Sequence, residues 1–253
     1  MENYKTSVHA KRFPLFFKNY KHLERPGFGA SGSGVENEGR NSLWDKTKFG
    51  IREAVKHFDG KFDYFFKADD DTYVIMENLR KLLMDQDPNE PFVMGKRFKP
   101  FAKQGYLSGG AGYVISRAGL QRIAEGLNTN SKCGTDHHTW AEDVVLGACA
   151  EATGVKTLDS LDEFGRERFH PFDCAFMLNE AALNATTWFA NYSYHQVKGG
   201  KECCSDYSVT FHYVNPGQMY VYDFFLYHLH PYGIFRDYNR LIKLMKNNLP
   251  TVR

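Results

Sequence analysis

The spacing of apolar positions changes several times along the chain, and each change marks an element. From Asn41 onward, Leu43, Trp44, Thr47, Ile51, Ala54, Val55 and Phe58 recur at helical spacing and predict an amphipathic helix. It leads into Tyr64-Phe65-Phe66, a short apolar run that reads as a buried strand. Ile75, Met76, Leu79, Leu82 and Leu83 form a second helical stripe, which stops near Asp87-Pro88. Phe92 to Met94 and Tyr113-Val114-Ile115 are strand candidates, and the stretch Gly105 to Gly112 between them is dense in glycine. Ser116 is placed to cap a helix whose apolar face is Leu120, Ile123, Ala124 and Leu127. Beyond a polar loop, Glu142-Asp143 opens a helix through Val144, Val145, Ala148, Cys149 and Ala152, ended by Gly154. Phe211 to Val214 reads as a late strand, and Met219 to Leu229 as a helix before Pro231. Strands alternating with helices predict an α/β fold.

The first residues follow no such rule. Met1 to Glu24 is basic and aromatic without period, and Pro26 to Gly39 carries enough Gly and Ser to read as a flexible linker. The expected organisation is an irregular segment over 1–39, one domain over 40–235 and a basic tail over 236–253. A length of 253 residues fits one large domain or two small ones. Net charge is +2 with the signs mixed, and no basic stripe suggests nucleic acid. No apolar run approaches the roughly 18 residues of a membrane span, and Met1 to Lys18 is too charged for a secretory signal. The aromatic share of 15% suits a sugar- or nucleotide-binding groove as well as a core. The five cysteines form no CxxC pattern. Asn184-Ala185-Thr186 and Asn191-Tyr192-Ser193 are N-glycosylation sequons that would be used in a secretory compartment.

Candidate chemistry begins where the first strand ends. Asp69, Asp70 and Asp71 follow Tyr64-Phe65-Phe66 directly, at the edge where open α/β sheets bind ligands. Three adjacent carboxylates repel one another, and a hard divalent cation such as Mg²⁺ or Mn²⁺ is the simplest compensation; a solvated acidic turn is the alternative. Gly109, Gly110 and Gly112 allow close backbone approach to a ligand, or simply a tight turn. Glu142 and Asp143 suit the positive end of a helix as caps. His212, between aromatic neighbours, reads on its own as a core histidine.

Four stretches combine: Phe66 to Tyr73, Gly105 to Tyr113, Trp140 to Gly147, and Cys203-Cys204-Ser205-Asp206 with Phe211-His212-Tyr213-Val214. As an ordered set they resemble the β1,3-glycosyltransferases that include Fringe, and within that group the core 1 β1,3-galactosyltransferase branch. The likeness runs from about Glu38 to Gly233 and includes Glu38-Gly39-Arg40, Trp44, Phe98-Lys99-Pro100 and Pro231-Tyr232-Gly233.

The resemblance implies a GT-A fold, a Rossmann-like mixed sheet flanked by helices, here lacking its first strand–helix unit. It implies a Mn²⁺-dependent, inverting transfer of galactose from UDP-galactose to O3 of GalNAc on a glycoprotein serine or threonine. Asp69, Asp71 and His212 correspond to metal ligands, and Asp143 to the catalytic base. Arg40, Lys46, Asp69, Asp70, Gly109 and Gly110 fall on the donor side; Tyr106, Glu142 and Trp188 fall on the acceptor side. Cys133 and Cys149 resemble a family disulfide, and Cys203 and Cys204 a pair that takes part in disulfides. The expected setting is the Golgi lumen, with a type II membrane anchor in the full-length protein and a homodimer among its assemblies. Three departures stand out: no anchor, stem or first nucleotide-binding unit is evident in residues 1–37, Ala190 replaces a usual tryptophan, and Cys174 is unexpected. A non-catalytic folding partner or sugar binder, and a transferase using another UDP-sugar, are the alternative readings.

Overall fold

The computed structural model describes residues 15–17, 39–58, 60–134 and 141–232. The chain runs β1 (Leu15–Phe17), α1 (Leu43–Phe58), β2 (Tyr64–Ala68), β3 (Tyr73–Val74) and α2 (Met76–Leu83). It continues with β4 (Phe92–Gly95), β5 (Arg97–Phe98), β6 (Tyr106–Leu107), β7 (Tyr113–Ser116), α3 (Arg117–Thr129), α4 (Glu142–Ala152), β8 (Lys156–Leu158) and β9 (Phe169–His170). Three short helices follow, α5 (Cys174–Leu178), α6 (Glu180–Ala185) and α7 (Thr187–Tyr192), then β10 (Thr210–Phe211) and α8 (Pro216–Asp223). The described residues fall into two compact units, one ending at Asn215 and one starting at Pro216. The first carries the sheets. In the second, α8 passes into a π-helical turn, Phe224–His228.

The main sheet has the order β1-β2-β7-β4-β8 and is mixed: β1 and β2 are parallel, as are β4 and β8, while β7 runs antiparallel to both its neighbours. This is the α/β mixed-sheet architecture expected. The sheet is buried on both faces because its strands alternate between two apolar layers. Phe65, Val93, Tyr113 and Ile115 join one core cluster with Trp44 and Ile51 of α1, Leu120, Ile123 and Leu127 of α3, and Leu146 of α4. Tyr64, Phe66, Phe92, Met94 and Val114 point to the other face, against Leu79 and Leu83 of α2. Each large side chain fully buried this way contributes roughly 1.5–3 kcal/mol. Ser116 caps α3 by accepting from Gly119 N, and Gly154, at φ 70°, follows the end of α4.

A second sheet, β3-β10-β9, stands at the end of β2. β10 pairs antiparallel with β3 and parallel with β9. Only two residues, Asp71 and Thr72, lie between the acidic pair Asp69-Asp70 and β3, so this small sheet fixes where the acidic turn goes.

Three sequence expectations change. Leu15–Phe17, inside the segment read as irregular, pairs in parallel register with Phe66–Ala68, so a strand does precede α1 and β2. Three residues are too few to show a period, and it is the long-range partner that makes them a strand. The strand expected over Phe211–Val214 stops at Phe211: Tyr213 takes a left-handed φ of 57°, which no strand accommodates. The helix expected over Met219–Leu229 starts earlier, at Pro216, where a missing N–H costs nothing, and ends in the π turn. The linker expected over 26–39 lies almost wholly outside the described residues, as does the tail 236–253. No helix among the described residues is long and apolar enough to cross a membrane.

Candidate functional site

Strand alternation builds one half of the site. Lys67 shares a face of β2 with Phe65, and its cross-strand partner is Tyr113 of β7. Both reach the N-terminus of α4. Tyr113 Oη donates to Glu142 Oε1 at 2.6 Å, and Lys67 Nζ lies 3.6 Å from Glu142 Oε2. Lys67 Nζ also donates to Asp69 Oδ1 at 2.7 Å and to Gly109 O at 2.8 Å. Burial works against the Lys67 charge, yet Glu142 and Asp69 outweigh it and raise the ammonium pKa. Lys67 is thus a fixed cation tying the acidic turn, the glycine loop and α4 together.

The small sheet builds the other half. Antiparallel pairing of Phe211 with Tyr73 places His212 beside the acidic turn. Its Nε2 is 3.1 Å from Asp71 Oδ1 and 3.9 Å from Asp69 Oδ2. Its Nδ1 is 3.2 Å from Pro171 O, which can only accept, so a proton on Nδ1 would leave the Nε2 lone pair available to a cation. Val214 N donates to Asp71 O at 2.9 Å and closes the turn. The left-handed Tyr213 between these two anchors is local strain held in place by them.

Asp69, Asp71 and His212 each offer one ligand atom within 4.8 Å of the others. Two carboxylates and one imidazole nitrogen suit Mn²⁺ or Mg²⁺, whose ligands stand about 3 Å apart at bond lengths near 2.1 Å. The donor set and the aimed Nε2 therefore fit a divalent cation.

The loop before β7 separates this cluster from Asp143. Gly109 N donates to Asp143 Oδ2 at 3.3 Å, and Gly110 lies against the His212 ring. Thr72 Oγ1 and Thr210 Oγ1 pin the loop by donating to Gly110 O and Ala111 O. A methyl group at Gly110 would come within 2.2 Å of the imidazole. Gly110→Ala is therefore expected to displace His212, with a 10–100-fold loss of divalent-metal affinity, typical of a disturbed ligand orientation. Calorimetric Mn²⁺ titration checks it, and unchanged affinity would show that the ring has room to move.

Asp143 is half-buried at the start of α4. Burial, and then the neighbouring Glu142 charge, raise its pKa to about 6; the N–H groups of Gly109 and Val144, and Lys67, hold it from rising further. Such a carboxylate is poised to exchange a proton near neutrality.

The remaining predicted residues divide. Glu142 is 2% exposed and its carboxylate turns inward to Tyr113 and Lys67, away from the open position an acceptor ligand needs. Tyr106, 6% exposed, packs against Phe98 and Phe101 and offers little free ring. Trp188 is 47% exposed within an aromatic chain that runs through Phe172 to Tyr213 and so to His212. Asp70 is exposed at the turn, Arg40 is exposed, and Lys46 is half-buried on α1. Cys133 and Cys149 are joined, tying a 3-10 turn to α4; closing a loop of this length contributes about 3 kcal/mol. Cys203 and Cys204 are bonded to each other, and Cys174 is half-buried and joins neither disulfide. Sequence reading missed Lys67, Tyr113 and Thr72. A lone lysine inside an apolar strand was the available signal for the first.

Comparison with known proteins adds a second line. The Fringe-like family model matches residues 40–201, which includes the acidic turn, the glycine loop and α4 and stops short of His212. Over 224 residues the chain is 42% identical to a protein of Xenopus laevis named glycoprotein-N-acetylgalactosamine 3-beta-galactosyltransferase 1. That match covers 88% of this chain and 61% of the relative, so the chain spans about three fifths of the relative's length. A mouse beta-1,3-glucosyltransferase is 29% identical over 130 residues, covering 50% of this chain and 25% of the relative. Human chondroitin sulfate synthase 3 is 27% identical over 114 residues, covering 41% and 13%.

Proposed function

This chain belongs to the Fringe-like family, and on that premise we propose that it is a divalent-metal-dependent, inverting β1,3-galactosyltransferase. The donor is UDP-galactose, and the acceptor is O3 of GalNAc on a serine or threonine of a glycoprotein. The observation that carries this reading is the pairing of Asp71 and His212 at 3.1 Å, with Asp143 across one glycine dipeptide.

Each residue has a task. Asp69 and Asp71, with His212 Nε2, would hold a cation, Mn²⁺ in this reading, that would neutralise charge developing on the leaving diphosphate. Lys67 orients Asp69 by donating to its Oδ1. Gly109 and Gly110 give the donor close access to backbone. Arg40, Lys46 and Asp70 belong to the donor side, and Trp188 supplies an exposed ring for a sugar face. Asp143 takes the proton of the acceptor hydroxyl as its oxygen bonds to the anomeric carbon; the bond to the diphosphate breaks and its electron pair leaves with UDP. Glu142, by its charge, adds to the burial that holds the Asp143 pKa high.

A transfer assay with UDP-galactose and a GalNAc-α-peptide, run with Mn²⁺ and with a chelator, tests the proposal. A β1,3-linked disaccharide formed only with metal is the expected product. No product from the folded protein would overturn it, and preference for UDP-glucose or UDP-GlcNAc in parallel reactions would correct the donor.

The base assignment fixes a pH dependence. Asp143 accepts a proton only when ionised, and its pKa is raised to about 6, so kcat/KM should fall about tenfold per pH unit below that point and level off above it. A cation beside Asp69 and Asp71 moves this limb to lower pH, never higher. A limb well above 6 in a pH–rate profile would assign the proton transfer elsewhere.

Placement in the Golgi lumen, on a membrane-anchored full-length protein and with a homodimer as its assembly, is part of the same proposal. Two disulfides suit an oxidising compartment.

A further inference from the structure

The two sequons are not used by the transferase chemistry. Asn184 lies on α6 and Asn191 on α7; both are exposed, and neither carboxamide makes a hydrogen bond among the described residues. Their hydroxyl partners differ. Thr186 Oγ1 donates to Ala182 O at 3.0 Å, so that hydroxyl has work in the folded helix. Ser193 is 2% exposed, and its Oγ is buried without a hydrogen-bond partner among the described residues. The backbone of Ser193 does the structural work instead: its N–H donates to Phe189 O, and it forms a bridge with Phe98.

A buried hydroxyl with no partner is a net cost to the fold, and alanine would occupy the same space without it. The use of this hydroxyl therefore lies outside the folded state. On the extended chain, Asn-x-Ser is the acceptor signal for N-glycosylation. We propose that Asn191 carries an N-linked glycan, attached in the secretory pathway before Ser193 folds away, with Asn184 as a second acceptor. In the transfer, Asn191 Nδ2 bonds to the anomeric carbon of a polyprenyl-diphosphate-linked oligosaccharide. The carbon–oxygen bond to the diphosphate breaks, its electron pair leaves with the lipid diphosphate, and the Nδ2 proton passes to a base of the glycosylating enzyme. Both disulfides fit the compartment where this occurs. The glycan is rooted three residues from Trp188, one turn along α7 and beside the exposed aromatic surface. The inference rests on the secretory placement proposed above but not on galactosyl transfer.

Peptide mapping of the protein from its own cells is the direct test. After peptide-N-glycosidase in ¹⁸O water, an isotope-labelled aspartate at position 191 is expected; unmodified Asn191 overturns the proposal. A second measurement isolates the argument from Ser193. The full chain, secreted behind a cleavable signal, should lose one glycan's mass on Ser193→Ala, as on Asn191→Gln. Deglycosylated Ser193→Ala should then melt no lower than the deglycosylated parent. Retention of the mass would show that the sequon is not used, and a lower Tm would give the hydroxyl a folding role; either removes the inference. Because the readouts are mass and Tm, an inactive but glycosylated protein sinks the transferase reading alone.

Discussion

Asp71→Asn should abolish metal-dependent donor binding and lower kcat/KM by a factor of about 10³ or more, as expected when a charge-bearing contact to the developing leaving group is lost. The substitution keeps the size of the side chain and removes its charge. A carboxamide oxygen is a far weaker ligand for Mn²⁺, and only Asp69 and His212 remain. The fold should tolerate the change, because the turn is closed by the Asp71 backbone carbonyl accepting from Val214 N, and Asn keeps that bond. The variant also loses one of three mutually repelling carboxylates, so the metal-free protein should melt no lower than its parent. Metal linkage gives a readout independent of turnover. Mn²⁺ at 100 times its Kd stabilises the parent by about 2.7 kcal/mol and should leave the variant nearly unmoved. Equal Mn²⁺-induced shifts in Tm for parent and variant would take Asp71 out of the metal site.

The second large effect is expected at the other side of the glycine loop. Asp143→Asn should reduce kcat by 10²–10⁴-fold while leaving the affinities for Mn²⁺ and UDP within a factor of a few, the range general-base catalysis typically supplies. Asn keeps an oxygen that can accept from Gly109 N, so the loop that also touches His212 stays in place. What is lost is the site whose pKa lies near 6. The acid limb of the pH–rate profile should vanish with it, leaving a low and nearly flat residual rate. This pairing of measurements separates a base from a helix cap. A carboxylate that only complements the start of α4 would, on losing its charge, lower stability by about 0.3–1 kcal/mol and leave turnover nearly intact, whereas a lost base does the reverse. Turnover within a few-fold of normal would retire the assignment.

The two variants also divide the proposed reaction. Donor binding fails in one and proton removal in the other, although the two groups stand on either side of Gly109-Gly110. Lys67 is the physical link between them, because its ammonium touches Asp69 and the Gly109 carbonyl and faces Glu142. Effects at Asp71 and Asp143 should therefore not be strictly additive in the double variant.

What the sequence determined by itself was local and periodic. The stripes Leu43 to Phe58 and Ile75 to Leu83, the run Tyr64 to Phe66, the Ser116 cap and the Gly154 stop each depend on neighbours a few residues away, and each became the expected element. The acidic triplet at the end of an apolar strand was visible for the same reason. Tertiary structure decided what depends on partners distant in the chain. It made a strand of Leu15–Phe17 by pairing it with β2, cut the strand at Phe211 short, and turned His212 onto Asp71 across more than a hundred residues. It also turned Glu142 inward and buried Tyr106, because the register of Lys67 with Tyr113 and the packing of α4 settle where those side chains point. Composition and period record which residues seek burial; only the register between strands determines which charges meet there.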